Sequence, residues 1–497
     1  MPGRILDILT TRKARLIFTW LILLGALGHR GVQGWINFRV EERPDRTDGH
    51  ASIDFGGQWM MGRLLVLGHG RELYSRDRHL QVAREAYPRD REKPGATEHD
   101  AEQLVKWYPG PPDDPVGGPL YPPIHAMVMA PVALISNPYW AYRATQALLI
   151  GFVCLAAAGV RYLSHGRWWW SAATAFLLLF PGCRGGIDLA QNSPISITLL
   201  IWGWAFIIRG RPSLGGFVWG LLAFKPVWAI SFLLALLLLR QWRAAGAMIA
   251  TGAGLIVITL PFVGIQAWLD WLHVGQLATE MYLVDRNWIF LSRDLFGIPR
   301  RIFLDFEDGR AVADRPIAGV VGWALWGFVF TSTVAIAIIV WRRLRRTSSS
   351  SQSLSGPFTA FVMLGMWMCA YRFMYYDVLL AAVAVIALLT DPRPYFRRAW
   401  WPFASWAVIF VAVLIVIENV TGPLNVEVTA SIHGLKGTVT HLDKSTQKTA
   451  PTFFVASGDY YPWDTLTLSA LWIWCGVRML RPGLPSAQVV QSSADVG

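Results

Sequence analysis

Apolar runs long enough to form helices recur from one end of this chain to the other, separated by short breaks rich in arginine, glycine and proline. In lipid no water satisfies the backbone, so a chain built this way crosses as helices whose N–H and C=O groups pair internally. The composition agrees: 54% of the residues are hydrophobic and only 16% are charged, where a soluble domain carries about a quarter charged. The expected fold class is an all-α polytopic membrane protein with about 12 transmembrane helices. The spans fall at 16–37, 140–160, 168–182, 193–208, 213–224, 226–239, 243–264, 317–341, 355–371, 377–391, 401–418 and 464–480. The first follows Arg4, Arg12, Lys13 and Arg15 and has the look of a signal peptide. No small-residue cleavage site follows it, and further spans do, so it is read as a retained helix.

The net charge of +12 raises the question of a nucleic-acid partner, and its distribution answers it. With the N-terminus inside, the cytoplasmic ends of the spans collect Arg161, Arg167, Arg209, Arg211, Arg240, Arg243, Arg342, Arg343, Arg345, Arg346, Arg393, Arg397, Arg398, Arg478 and Arg481 besides the N-terminal cluster. Only Asp7, Asp391 and Asp495 oppose them. This is the positive-inside pattern of a multi-pass protein of the plasma or inner membrane, with both termini cytoplasmic. Two features keep the parity. The run "YPPIHAMVMAPVALI" (121–135) carries Pro122, Pro123 and Pro131 and is read as an interfacial or re-entrant segment. The run 213–240 has basic residues at both ends and is read as a hairpin of two short helices broken at Lys225-Pro226, since proline disfavours helix in the residue before it.

The organisation that follows is a cytoplasmic N-terminus (1–15) and a transmembrane catalytic module (16–264) containing an outer loop (38–139). A second outer loop (265–316) leads into a C-terminal transmembrane module (317–480), which contains the outer segment 419–463 and ends in a cytoplasmic tail (481–497). The tract "TSSSSQSLS" (347–355) reads as a solvated linker. No internal repeat is evident. Cys154, Cys183, Cys369 and Cys475 form no C-x-x-C pair and lie in or beside spans, so neither a disulfide framework nor a thiolate metal site is expected. No carboxylate cluster marks a metal site, and no cofactor is expected.

On this topology several polar residues share the outer side. Asp54, Tyr74 and Tyr121 come from the first loop, and Asp188, Gln191 and Asn192 from "GIDLAQNSP". Lys225 stands at the hairpin tip. Arg372, Tyr375, Tyr376 and Asp377 come from "YRFMYYD". Taken singly, each is more often a helix cap or an interfacial anchor than a functional group. Lys225 says more, because a cation interrupting an apolar run is costly unless it is paired or functional. Together they describe a cleft at the outer leaflet with cations to hold a lipid-linked phosphate and a carboxylate to take a proton from an acceptor hydroxyl. The stretch 52–75 places Asp54 ahead of an apolar series (Trp59, Met60, Leu64, Leu65, Leu67), which reads as an interfacial amphipathic helix. Asp54 is then either its N-cap or a reactive group.

The ordered set "D-F…G…LY", "YPP", "Q-N" opening a span, "GLLAFKP" and "YYD" resembles glycosyltransferase family 87, over about residues 15 to 400. The resemblance implies the GT-C superfamily fold, an extracytoplasmic active site and a polyprenyl-phosphate-sugar donor in place of a nucleotide sugar. Members of that family include polyprenyl-phosphate-mannose-dependent α-mannosyltransferases. It implies Asp54 as the catalytic base, with Tyr74, Tyr121, Pro122, Pro123, Gln191, Asn192 and Lys225 at other motif positions. Where the family often has tyrosine four residues after the acid, this chain has Gln58, and its insertion between Tyr74 and Tyr121 is long. His125 has no motif counterpart and reads as a packed or surface histidine.

An inverting hexosyl transfer with an oxocarbenium-like transition state needs one carboxylate and a stabilised leaving phosphate. Lys225, Arg372 and Arg293 are the expected phosphate ligands, with Arg286, Arg300 and Arg301 in the same loop. Tyr74, Tyr121, Asp188, Gln191, Asn192, Tyr375, Tyr376 and Asp377 are the expected substrate contacts. The partners are then membrane lipids, the lipid-linked donor and a glycan or glycolipid acceptor. Two rivals stand beside this. A lipid or sugar transporter also needs broken helices and buried charge, and should show inverted halves. A catalytically inactive scaffold would keep the fold alone.

Overall fold

A computed structural model describes residues 11–39, 54–87, 104–105, 108–307, 310–312, 315–346, 355–390, 409–416, 419 and 462–480. Most of the expected terminal tails, the linker tract 347–355 except its last residue, most of the expected span 401–418 and nearly all of the segment 419–463 lie outside the described residues. Within the described residues the structure is helical, apart from one two-stranded pairing of Phe306–Glu307 with Arg310–Ala311.

Helices stand where the apolar periodicity puts them, but they are shorter than a dozen crossings require. Among the described residues four are long and apolar enough to cross a membrane: Arg12–Val32, Pro138–Leu163, Trp242–Val263 and Pro316–Arg343. A crossing needs about 20 residues at 1.5 Å each. The expected spans at 168–182, 193–208, 213–224, 226–239, 355–371 and 377–391 correspond instead to apolar helices of 10–17 residues. Proline opens several of these, as at Pro212, Pro226 and Pro357. The short helices are the better buried ones. Pro357–Met368 is enclosed along its whole length, whereas the Trp242–Val263 window is 17% buried. Short helices inside the bundle need not match the bilayer thickness, because protein and not lipid surrounds them.

The hairpin expected at 213–240 is present. Helix Pro212–Gly220 passes through a 3-10 turn (Leu221–Phe224) into Lys225, whose φ of −137° and ψ of 78° leave the helical region, and Pro226 opens the return helix Pro226–Leu238. Gly216, midway along the outgoing helix, lies against Ala244, in the first turn of the next helix, Trp242–Val263. The chain therefore goes out and back, with Lys225 at the turn.

Helix Asp54–Val66 corrects the interfacial reading of 52–75. Phe55, Trp59, Met60, Met61 and Leu64 are all 0% exposed, and Gln58 on the supposed polar face is 1% exposed. The helix is enclosed because glycines replace bulk on that face. A Cβ on Gly62 would come within 2.7 Å of the Met129 backbone, so only glycine lets helix Pro123–Ala133 lie this close. Arg63 donates to the Ala133 carbonyl at 3.3 Å at the edge of the contact.

The segment expected as a polar loop at 265–316 is largely ordered into helices Gln266–Val284, Arg286–Leu291 and Gly297–Phe303. The first of these holds down the chain leading to Tyr121. His273 pairs with Asp114 at 3.1 Å, and the Trp271 indole donates to the Leu120 carbonyl at 3.1 Å.

Candidate functional site

Six separated stretches bring their polar residues to one place. Tyr121 sits at its centre. Its hydroxyl donates to Gln191 Oε1 at 2.6 Å and lies within hydrogen-bonding reach of Tyr376. Its backbone carbonyl accepts from the Tyr74 hydroxyl. Asp54, partly exposed in the first turn of its helix, is within electrostatic reach of both Tyr121 and Tyr376. A helix N-terminus favours negative charge there. Gln58, one turn on, donates to the Ala190 carbonyl at 3.3 Å and ties this helix to the Gln191 loop.

Lys225 completes the cluster. Its Nζ donates to both carboxylate oxygens of Asp377, at 2.6 and 2.8 Å, and lies 5.2 Å from the centroid of the Tyr376 ring. Asp377 is 1% exposed, and the Lys225 side chain is 14% exposed. This is a nearly dry ion pair, reinforced by a cation–π contact. Its position depends on Gly182. With φ at +81°, in a region that L side chains rarely adopt, Gly182 lets the Tyr375–Asp377 turn approach so closely that a Cβ would sit 2.6 Å from the Tyr376 carbonyl.

The remaining expected residues lie around this cluster in different ways. Asn192 and Ser193 follow Gln191, are buried, and leave their side-chain polar atoms without hydrogen-bond partners among the described residues. Arg372, at φ +58°, donates to the Tyr282 carbonyl at 3.3 Å. Its guanidinium sits 5.1 to 5.7 Å from the ring centroids of Tyr371, Tyr282 and Phe296. Tyr282 is itself in electrostatic reach of Tyr121 and Tyr376, so Arg372 reaches the cluster through one aromatic ring. Arg293 is committed elsewhere. It is 5% exposed, pairs with Asp464 at 3.0 Å and donates to the carbonyls of Phe290, Leu291 and Ser292. Arg301 likewise holds the carbonyls of Ile289, Phe290 and Ser292. Asp188 pairs with Arg184 at 3.2 Å, and its carbonyl accepts from Tyr142. Tyr375 packs against Gly185 and faces Arg293.

Two residues of the site gave no family signal. Tyr282 comes from a helix expected to be loop. His125 stacks on Tyr121 with ring centroids 4.1 Å apart. Nothing in the sequence around His125 signalled the stack, because Tyr121 lies before the N-cap Pro122 and outside the helix.

The approach to Tyr121 is pinned by a buried polar core. Arg76, 6% exposed, donates to the Pro109 carbonyl at 2.6 Å. His79, fully buried, bonds the Tyr108 hydroxyl at 2.6 Å and the Leu73 carbonyl at 2.7 Å. Burial holds the His79 imidazole well below its ordinary range, at about 4. Asp114 is held below the usual carboxylate range by the Val116 N–H and then by His273. Among the described residues no group of three or more metal-ligating side chains occurs.

Residues 120–364 match the model of glycosyltransferase family 87, the family that the ordered motifs resemble. The matched span holds Tyr121, His125, Gln191, Asn192, Lys225 and Tyr282. Asp54, Tyr376 and Asp377 lie outside it. No curated protein and no solved structure matches the chain. The family match and the apolar helices indicate a membrane glycosyltransferase.

Proposed function

We propose that this membrane glycosyltransferase moves a hexose, mannose first among the candidates, from a polyprenyl-phosphate donor to a glycan or glycolipid acceptor with inversion, on the extracytoplasmic side of the plasma or inner membrane. The observation that carries the reading is the convergence of Asp54, Tyr121, Gln191, Tyr376 and the buried Lys225–Asp377 pair from segments far apart in the chain. Asp54 is the partly exposed carboxylate of this group, in the first turn of its helix, and it serves as the base that takes the acceptor's proton. The sugar C1–O bond to the phosphate breaks as the acceptor oxygen bonds to C1 from the opposite face. The phosphate leaves as an anion and needs no general acid.

Lys225 and Arg372 are the cations that neutralise it. Lys225 is bonded to Asp377, so it serves the phosphate by sharing or exchanging that partner, and Arg372 serves from within its aromatic cage. Arg293, tied to Asp464 and three carbonyls, holds the loop in place. Tyr121, Gln191 and Tyr376 contact the sugar or acceptor hydroxyls. A packed polar cluster with a reactive carboxylate favours this over the transporter reading, which asks for a pathway between two sides.

The test is transfer from radiolabelled polyprenyl-phosphate-mannose by the full-length protein in detergent, with a total lipid extract supplying the acceptor. Label moving to a new glycolipid supports the proposal. Label that stays on the donor, while proteoliposomes move the intact lipid between leaflets, overturns it in favour of transport.

A further inference from the structure

His125 takes no part in the family motifs or in the chemistry above. It lies in the first turn of helix Pro123–Ala133, is 0% exposed, and has no hydrogen-bond partner for either ring nitrogen among the described residues. Its ring stacks on Tyr121 at 4.1 Å between centroids and 17° between planes. Phe224 packs at 5.9 Å, and Lys225 is within electrostatic reach.

The stack accounts for an aromatic ring at this position but not for an imidazole. Phenylalanine would stack as well without burying two polar nitrogens, and unpaired buried polar atoms are destabilising. An imidazole enclosed by aromatic rings beside a cation is neutral, with one N–H donor and one acceptor. Both point outward in the ring plane, so stacking on Tyr121 covers the face and leaves two buried polar atoms at the edge without a partner among the described residues. A phosphate oxygen accepts only, and would use half of that edge. Vicinal sugar hydroxyls both donate and accept, and would use all of it.

We propose that His125 reads the sugar of the lipid-linked donor, its two nitrogens bonding hydroxyls of the ring while Lys225 lies toward the phosphate. This rests on the donor assigned above. The sugar and the phosphate share one bridging oxygen, so the ring lies next to the phosphate-facing cation, and His125 packs at 5.9 Å on Phe224, the residue before Lys225.

The experiment uses the full-length protein in detergent and the variant His125→Phe, which keeps the stack and removes the nitrogens. Thermal shift on adding polyprenyl-phosphate-mannose or bare polyprenyl phosphate reports binding without turnover, and KM for the mannosyl lipid is measured beside it. The expected result is a variant that expresses and melts at or above wild type. Its response to the bare lipid is unchanged, and its KM for the mannosyl lipid is raised roughly tenfold or more, as loss of two hydrogen bonds predicts. His125→Gln, which keeps a donor and an acceptor, should recover part of that loss. An unchanged KM, or equal weakening toward both lipids, overturns the sugar assignment. Wild-type protein that responds to neither lipid overturns the donor reading and the proposal with it.

Discussion

Removing one member of the Lys225–Asp377 pair should cost far more than removing both. Nζ donates to the two carboxylate oxygens at 2.6 and 2.8 Å, and the carboxylate belongs to a residue 1% exposed. Lys225→Met leaves Asp377 as an uncompensated buried charge, and Asp377→Leu does the same to Lys225. Losses for breaking such pairs run about 3–5 kcal/mol, while replacing both partners with apolar groups is often close to neutral. The double variant Lys225→Met/Asp377→Leu should therefore melt near wild type, and the two single variants well below it. The coupling between the two sites should reach at least about 2 kcal/mol. The assay is fluorescence-detected unfolding of all four proteins in one detergent, with KM for the donor measured on those that stay folded. A folded double variant with donor KM raised at least tenfold would assign Lys225 to the phosphate, separately from its structural role. Single-variant losses that simply add in the double variant would refute the argument, because they would mean that the two charges do not depend on each other.

Asp54→Asn should lower kcat by roughly 10²–10⁴-fold with yield and melting near wild type, since asparagine keeps size and polarity but cannot take the acceptor's proton; an active Asn enzyme would remove Asp54 from the chemistry. His79, held at about 4 in the folded chain against about 6.5 unfolded, binds a proton less readily folded than unfolded. Its contribution is complete above pH 6.5 and is lost as pH falls toward 4, by up to about 3 kcal/mol. The protection of residues 108–118 against hydrogen exchange, taken relative to intrinsic rates at each pH, should therefore fall over that window, and His79→Leu should flatten the dependence. In a background lacking the native cysteines, cysteine at Ser75 should react with an impermeant thiol reagent on intact cells, and cysteine at Ser492 should not. Reaction at Ser492 would reverse the orientation.

Element positions were legible because apolar runs and prolines act locally. The ends of helices Pro226–Leu238 and Trp242–Val263 fall within a residue of where Pro226 and the basic pair Arg240/Arg243 put them. Span number was not legible in the same way. Hydropathy reports how apolar a segment is but not whether lipid or protein surrounds it, so Pro357–Met368, enclosed on all sides, looks like a crossing helix in sequence. Helix Asp54–Val66 misled for a related reason. Gly57 and Gly62 look like gaps in the helix surface, and in the fold Pro119 and the Met129 backbone come close to them.

The site was legible as a set of residue types but not as a set of partners. Asp54, Tyr121, Gln191, Lys225 and Tyr376 were all marked by standing out against apolar surroundings. Nothing local says that Lys225 will meet Asp377, 152 positions away, or that Arg293 will be consumed by Asp464. Such pairings change what each cation can do. A cation held by several protein groups at once, as Arg293 is by Asp464 and three carbonyls, holds the fold. A cation with one exchangeable carboxylate can answer an incoming phosphate, because the phosphate offers the charge that Asp377 supplies in its absence. By that criterion Lys225 lies closer to the chemistry than Arg293, although both are arginine or lysine at the end of an apolar stretch. His125 follows the same reasoning in reverse. Its sequence context is bland, and only its two nitrogens, without partners among the described residues, distinguish it from a packing residue.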